Sequence, residues 1–340
     1  MNSILLASKN DNKMWDIWMS LYQLSTVTVA DEIGLFTLLR NKKNKLSNIA
    51  KKLNIHEQGI KALTNVLLSL GFLNMKNGLI SLSQTAQSYL LPDSPFYWGA
   101  QFKGLYEKIE HKRLLNALKN STTQLTFNNK SFTDMWEDGS LTDAAAIDFT
   151  QKMHATIFAP ALGAVKSGVF ASTKKLLDMG GGSGCFSIAF IKKYPKYTAA
   201  VFELPPVCKI TKKYLKQFNT PNKIEVLPGN FFSDTWPRDY DGILFSQIFH
   251  DWPLEQCKLL AKSAYDALPQ GGKIYIHEML LDGNQTNPLT VACFNLLMFI
   301  NHQSKQFTKK ELFKLLRSVG FKNLKSKNTF GYFSIISAIK

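Results

Sequence analysis

Three consecutive glycines, Gly180, Gly181 and Gly182, follow the apolar run LLDM, and Gly184 comes one serine later in DMGGGSGCFSI, residues 178–188. Glycine is used where a backbone must pass close to another group, so this stretch reads as a ligand cradle rather than an ordinary tight turn. Two ligand classes have their own glycine spacing. A dinucleotide loop reads G-x-G-x-x-G/A. Counted from Gly180, its third small position falls on Cys185 and the frame fails; the sequence fits G-x-G-x-G through Gly180, Gly182 and Gly184. A phosphate-binding P-loop needs G-K-[ST], which the chain lacks. Glu203 closes the apolar run AAVFEL, 19 residues beyond Gly184. A carboxylate at that point accepts hydrogen bonds from two ribose hydroxyls, a demand common to nucleoside cofactors.

Such a loop needs a sheet to present it. From residue 174 the strand patterns KKLLDMG, TAAVFEL, KIEVLPG, YDGILFS and GGKIYIHEML occur in turn, most of them separated by helical stretches. That rhythm predicts a parallel sheet with helices on both faces. After the helix TKKELFKLLRSVGF, the runs KNLKSKNTF and YFSIISAI meet at Gly331 as a terminal hairpin, which places an antiparallel strand in the sheet. Upstream, residues 14–39 are apolar around most of a helical wheel, the pattern of a helix that buries more than one face, often against a partner subunit. Residues 45–90 then read as two short helices, a third helix and a hairpin turning at Asn-Gly, the order of a winged helix-turn-helix. Its would-be recognition helix, HEQGIKALTNVLLSLG, is apolar after the first turn, which favours a dimerisation or packing module over a DNA reader. Residues 92–165 alternate between helical and polar-loop character and bridge the two parts.

The runs LLDMGGGSGCFSI, AVFELP, PGNFFSDTWP, ILFSQIFHDWPLEQC and GGKIYIHEML, in this order and spacing, resemble the successive motifs of class I S-adenosylmethionine-dependent O-methyltransferases. The similarity is to the dimeric small-molecule subfamily that includes caffeic acid and acetylserotonin O-methyltransferases. It implies an α/β fold: a Rossmann-like catalytic domain, mostly parallel with an antiparallel last strand, preceded by a mainly α winged-helix dimerisation domain. The expected division is a dimerisation domain over 1–100, a helical connector contributing to the active site over 101–168, and a cofactor-binding catalytic domain over 169–340. By the same resemblance, S-adenosylmethionine is the cofactor, approached by the backbone at Gly180 and Gly182 with its ribose on Glu203. Asn230 and Phe231 match the pair that contacts adenine. Ser246 holds a cofactor-contacting position where the family often has lysine or arginine, and Phe149 and Met153 lie over cofactor and substrate. Plain core packing accounts for those last two equally well.

Methyl transfer to a hydroxyl is helped by a base, because the protonated acceptor is a poor nucleophile. His250, in FHDWP, matches the family's base, and an imidazole of ordinary pKa near 6.5 is mostly neutral at pH 7. Glu278 matches the acid that orients it. Asp251 and Trp252 read as structural companions. The chain departs from the family pattern at Asn295, in place of an aspartate, and at Gln306, in place of a second acid near the base. An amide cannot stabilise an imidazolium by charge. Asn295, Met298 and His302 are the candidate substrate-pocket residues. The expected reaction is methylation of a hydroxyl on a small aromatic or polyketide-like acceptor. N- or C-methylation on the same scaffold and a winged-helix DNA-binding regulator are the alternatives.

Composition narrows the partners. The formal charge is +16, from 41 basic and 25 acidic residues, but the lysines spread through every segment and rarely alternate with aromatics, so no nucleic-acid partner is expected. No apolar run spans a membrane, and the opening MNSILLASKNDNK lacks a basic leader and a cleavage site. Four scattered cysteines without a CxxC pair point to reduced thiols, a cytoplasmic location and no metal site. The expected partners are a small-molecule acceptor and a second copy of the chain.

Overall fold

The five apolar runs form strands: β1 Lys175–Met179, β2 Thr198–Glu203, β3 Ile224–Pro228, β4 Gly242–Ser246 and β5 Lys273–Met279, followed by the hairpin β6 Lys322–Phe330 and β7 Phe333–Ile339. The computed structural model describes residues 7–120, 122, 126–127, 130–220 and 222–340. The reading of the N-terminus as leaderless falls partly on residues 1–6, outside the described residues. The described residues form two compact units, one within 7–12, 127–280 and 307–340, the other within 13–126 and 281–306.

In the first unit the seven strands order as β6-β7-β5-β4-β1-β2-β3. β1 to β5 run parallel to one another. β7 runs antiparallel between β5 and β6, because a tight turn at Gly331 (φ 55°) joins consecutive strands that must lie side by side. The helices are α1 Asp143–Lys166, α2 Cys185–Lys193, α3 Pro205–Gln217, α4 Leu254–Ala267 and α5 Lys309–Ser318. α1 packs on α2 and α3, and α4 on α5. Strand alternation separates the two faces. Leu177, Met179, Phe202, Ile243, Phe245, Ile274 and Ile276 form a buried core with residues of α4 and α5. Asp178, whose Oδ2 accepts from Ser187 of α2, lies on the opposite face. β1 has β2 on one side and β4 on the other, so the order of strands reverses there, the point beyond whose carboxyl ends open α/β sheets take their ligands. Both the glycine loop and the His250 turn begin at those ends.

The second unit is mainly helical. It contains the helices Asn12–Glu32, Leu46–Leu53, Glu57–Ser69, Ile109–Asn120 and Leu289–His302, with a small three-stranded sheet. Its hairpin, Leu73–Lys76 with Leu79–Leu82, turns at Asn77 (φ 53°) and Gly78 (φ 73°), the left-handed pair that a two-residue Asn-Gly turn requires. The count of helices before this hairpin needs correction. Within 45–90 two precede it and a short one, Gln84–Tyr89, follows, because EQGIKALTNVLLS is one continuous helix capped by His56. That helix is buried along Gly59, Ile60, Ala62, Leu63, Val66 and Leu67. A Cβ on Gly59 would come within 2.7 Å of Phe299 and 2.8 Å of Leu118, so helix–helix contact is what this glycine permits.

Candidate active site

The glycine loop is held from two directions. Gly180, Gly182 and Gly184 have φ of 64°, 55° and 78°, the left-handed region that disfavours side chains. The Gly182 amide donates to Glu203 Oε2 at 3.1 Å, while its carbonyl accepts from the Thr211 hydroxyl at 2.6 Å. A Cβ placed on Gly182 would meet nothing within 4 Å, so the loop presents open space at that point. Gly180 is the closer fit: a Cβ there would lie 2.7 Å from Ile248.

Glu203 ends β2 with its carboxyl buried. Oε1 accepts from the Leu204 amide at 2.8 Å, so two of the lone-pair sites of a carboxylate are used. Burial outweighs those two bonds and pushes its pKa up to about 7. Asp178, beneath the loop, is likewise pushed to about 7, mainly by burial.

His250 stands in the short turn Phe249–Asp251 that follows β4, and it is almost fully buried. Its Nδ1 lies 2.7 Å from Glu278 Oε2 and its Nε2 lies 3.3 Å from Asp251 Oδ1. Burial alone would pull the imidazole pKa down; the charges of Glu278 and Asp251 override it and raise the pKa to about 10. Glu278, at the end of β5, is itself fastened: Oε2 also accepts from Gln247 Nε2 at 2.8 Å, and Oε1 from the Phe249 amide at 3.1 Å. One carboxylate therefore fixes the imidazole, the backbone of its turn and a neighbouring amide.

The remaining candidates divide. Phe231 is buried, with its ring edge-on to Phe232 and Trp252, and lies 3.4 Å from the Cβ position of Gly180. Asn230 turns its side chain inward: Oδ1 accepts from the Phe232 amide at 2.9 Å and Nδ2 donates to the Glu137 carbonyl at 2.9 Å. Ser246 pairs its hydroxyl with His277 Nδ1 at 3.0 Å. His277 is fully buried and its pKa is pulled down to about 3 by burial, so this pair carries no charge at neutral pH. Phe149 and Met153 are half-buried on α1, with Phe149 packed on Trp136 at 4.8 Å between ring centroids. Asn295, Met298 and His302 belong to the second unit, on the helix Leu289–His302. There Asn295 and Met298 are buried, and Asn295 Oδ1 accepts from the backbone amide of Gln306 at 2.9 Å. That bond joins the side chain at one departing position to the backbone, not the side chain, at the other.

Sequence reasoning gave no chemical role to Asp251, which faces the imidazole, and passed over Gln247, which donates to Glu278. Gln247 carries a local signal only in the structure, a left-handed φ of 57° that a non-glycine residue rarely adopts. Among the described residues no group of three His, Cys, Asp or Glu could hold a metal ion, and no helix is long and apolar enough to cross a membrane.

Comparison with known proteins places this geometry. The model of the O-methyltransferase domain family matches residues 111–322. A second model, the C-terminal domain of a single-strand DNA-specific exonuclease, matches residues 37–108, well short of half the chain. The 3-hydroxy-5-methyl-1-naphthoate 3-O-methyltransferase of Streptomyces sahachiroi is 26% identical over 307 residues, covering 90% of this chain and 88% of its own. Acetylserotonin O-methyltransferase of Bos taurus is 26% identical over 341 residues, covering 92% of each. The crystal structure of an O-methyltransferase family 2 protein from Planctomyces limnophilus, in complex with apigenin, superposes with a TM-score of 0.86 at 22% identity, covering 100% of this chain and 99% of that one.

Proposed function

This chain belongs to the O-methyltransferase domain family, whose methyl donor is S-adenosylmethionine, and on that premise we propose that it methylates a hydroxyl on a small aromatic or polyketide-like acceptor, with His250 as general base and Glu278 as the group that holds it. S-adenosylmethionine, when bound, supplies an electrophilic methyl group and a neutral leaving group. The residues beyond β1 and β2 fit such a nucleoside. Gly182 faces open space where a side chain would stand, and the Glu203 carboxyl keeps acceptor sites for hydroxyls. Phe231 offers an aromatic edge beside Gly180. Asn230 and Ser246 support the site indirectly in this geometry, through the loop backbone and through His277.

Replacing Glu203 with glutamine tests the assignment of the loop. The amide still occupies the space but loses the charge-assisted acceptor for hydroxyls and for the Gly182 amide. Titration calorimetry with S-adenosylhomocysteine is expected to show binding weakened by roughly tenfold, about one charge-assisted hydrogen bond. Unchanged affinity would remove Glu203 from the site.

The observation that carries the hydroxyl reading is the buried imidazole between Glu278 and Asp251. A phenol loses its proton near pKa 10. Once it has given up its own proton, an imidazole raised to about 10 matches a phenol in proton affinity, whereas an aliphatic hydroxyl would be badly mismatched. The named activity of the Streptomyces relative, on a ring hydroxyl of a naphthoate, agrees with this acceptor class. A panel of phenols, alcohols and amines, scored by S-adenosylhomocysteine release and by the position of the new methyl group, tests the reading. Methyl groups on nitrogen or carbon alone would overturn it.

We further infer a homodimer built on the helix Asn12–Glu32. Its inner face buries Trp15, Met19 and Tyr22, with Trp15 edge-on to Phe294 at 5.3 Å. Its outer face exposes Met14, Ile17, Leu21 and Leu24, at helical spacing and each about half exposed or more. An apolar stripe of this kind suits burial against a second copy. The double substitution Ile17→Lys with Leu21→Lys is expected to convert a dimer to a folded monomer in light scattering after size exclusion. A wild-type monomer would refute the inference.

A further inference from the structure

A histidine that no motif accounts for sits beside the glycine loop. His154, on α1 one residue after Met153, has Nδ1 2.8 Å from the hydroxyl of Ser183 and 3.3 Å from Cys185 Sγ. The Ser183 hydroxyl also lies 3.1 Å from Cys185 Sγ. Ser183 is buried and stands between Gly182 and Gly184. The imidazole is wedged among rings, stacked on Tyr214 of α3 at 4.1 Å and 24°, and on Phe158 at 5.0 Å and 19°.

This arrangement completes a set of restraints on the loop. Glu203 holds the Gly182 amide and Thr211 holds the Gly182 carbonyl. Neither reaches the next residue. The ring at His154 does, and it comes from a different element, the helix that also carries Phe149 and Met153. Burial lowers the imidazole pKa, so the ring is neutral at pH 7 and Nδ1 is able to accept the Ser183 proton. The thiol neighbour is inert by the same physics: burial pushes the Cys185 pKa up to about 12, which keeps it protonated.

We propose that His154 is a positioning residue for the cofactor, fixing the Ser183 hydroxyl so that the loop 180–184 is ordered before the cofactor arrives, and joining that loop to α1. The proposal rests on the reading of the loop as the cofactor cradle. A preformed loop binds more tightly because less ordering is left to the binding step. The kinetic signature is a raised KM for S-adenosylmethionine with kcat at saturation little changed, since His154 makes no contact with the reacting atoms in this reading.

Four single variants and one double variant test it by calorimetry with S-adenosylhomocysteine, alongside thermal melts without ligand. His154→Phe keeps the stacking and loses the acceptor. Ser183→Ala removes the hydroxyl. His154→Asn places an amide oxygen where Nδ1 stood. Glu203→Ala tests the cradle itself. The H154F and S183A variants are each expected to weaken binding roughly tenfold. The double variant H154F/S183A is expected to be no weaker than either single one, because one bond cannot be lost twice. The H154N variant is expected to bind within about threefold of wild type, the rescue that a purely steric role would not give. Wild-type affinity in H154F, additive losses in the double variant, or H154N as weak as H154F would each overturn the proposal. If H154F binds normally while E203A is weakened, His154 alone loses its role. If neither is affected, the cradle assignment fails as well. Should H154F melt below assay temperature, S183A and H154N carry the test.

Discussion

The His250→Ala enzyme is expected to retain its affinity for S-adenosylhomocysteine within a few-fold while kcat falls by roughly 10²- to 10⁴-fold, the usual contribution of a positioned general base. The two readouts part because His250 lies on the turn after β4, whereas the loop and Glu203 are built from the ends of β1 and β2. The wild-type pH profile sharpens the expectation. His250 is raised to about 10, so at pH 7 most molecules carry the proton that a base must first lose. The logarithm of kcat/KM should therefore climb with pH and level off only as the medium approaches that pKa, and this limb should vanish in the alanine variant. Turnover surviving in H250A, or a flat wild-type profile from pH 6 to 10, would remove the imidazole from the chemistry. Background methylation of a phenol that ionises in solution also rises with pH, so the comparison needs an acceptor-matched control without enzyme.

The parts of this site that were legible in the sequence are those where a residue type and a strand end coincide. Gly180, Gly182 and Glu203 are legible because a parallel sheet puts successive loops at one edge, and glycine takes up the left-handed backbone found there without steric cost. His250 and Glu278 are legible through the motif order, and the structure brings them to 2.7 Å although 28 positions separate them. Side-chain direction was not legible. Asn230, expected at adenine, uses its amide here to accept from the Phe232 amide of its own loop and to donate to the Glu137 carbonyl of a distant segment. Spacing cannot show this, because an asparagine satisfies backbone groups as readily as a ligand. Ser246 was expected at the cofactor, and its partner His277 lies directly across from it on β5, a pairing set by strand register. Asp251 was read as a companion of the motif, and only the tight turn reveals that it faces the imidazole it follows. Asn295 and Gln306 looked like two separate losses of charge. Asn295 accepts from the Gln306 backbone amide, a bond that any residue but proline at 306 would make, so the two exchanges remain chemically separate.

Glu278→Gln is the sharper probe of how the base is tuned, and two effects should appear together. The carboxylate bonds His250, Gln247 and the Phe249 amide at once, and it is fully buried. Glutamine keeps the shape and one acceptor oxygen but leaves the imidazolium without its nearest counter-charge. Breaking a buried ion pair by changing one member typically costs about 3–5 kcal/mol. Melting temperature should fall most near pH 6, where His250 is charged in the folded wild type and its stabilisation is complete. The sign follows from linkage: a histidine raised from 6.5 to about 10 contributes stability that is complete below pH 6.5 and is lost as pH rises through 10. The gap between variant and wild type should therefore narrow across that window. Among the charges that raise the pKa, Glu278 is the largest, opposed by burial, so its removal must lower it. The rising limb of the rate profile is expected to move to lower pH, while the plateau above it drops by roughly 10²-fold because the ring is a weaker base and is no longer held in one tautomer. A limb that stays in place with a lowered plateau would mean that Glu278 orients the ring without setting its charge, leaving Asp251 to do so. A limb that moves with an undiminished plateau would mean the reverse.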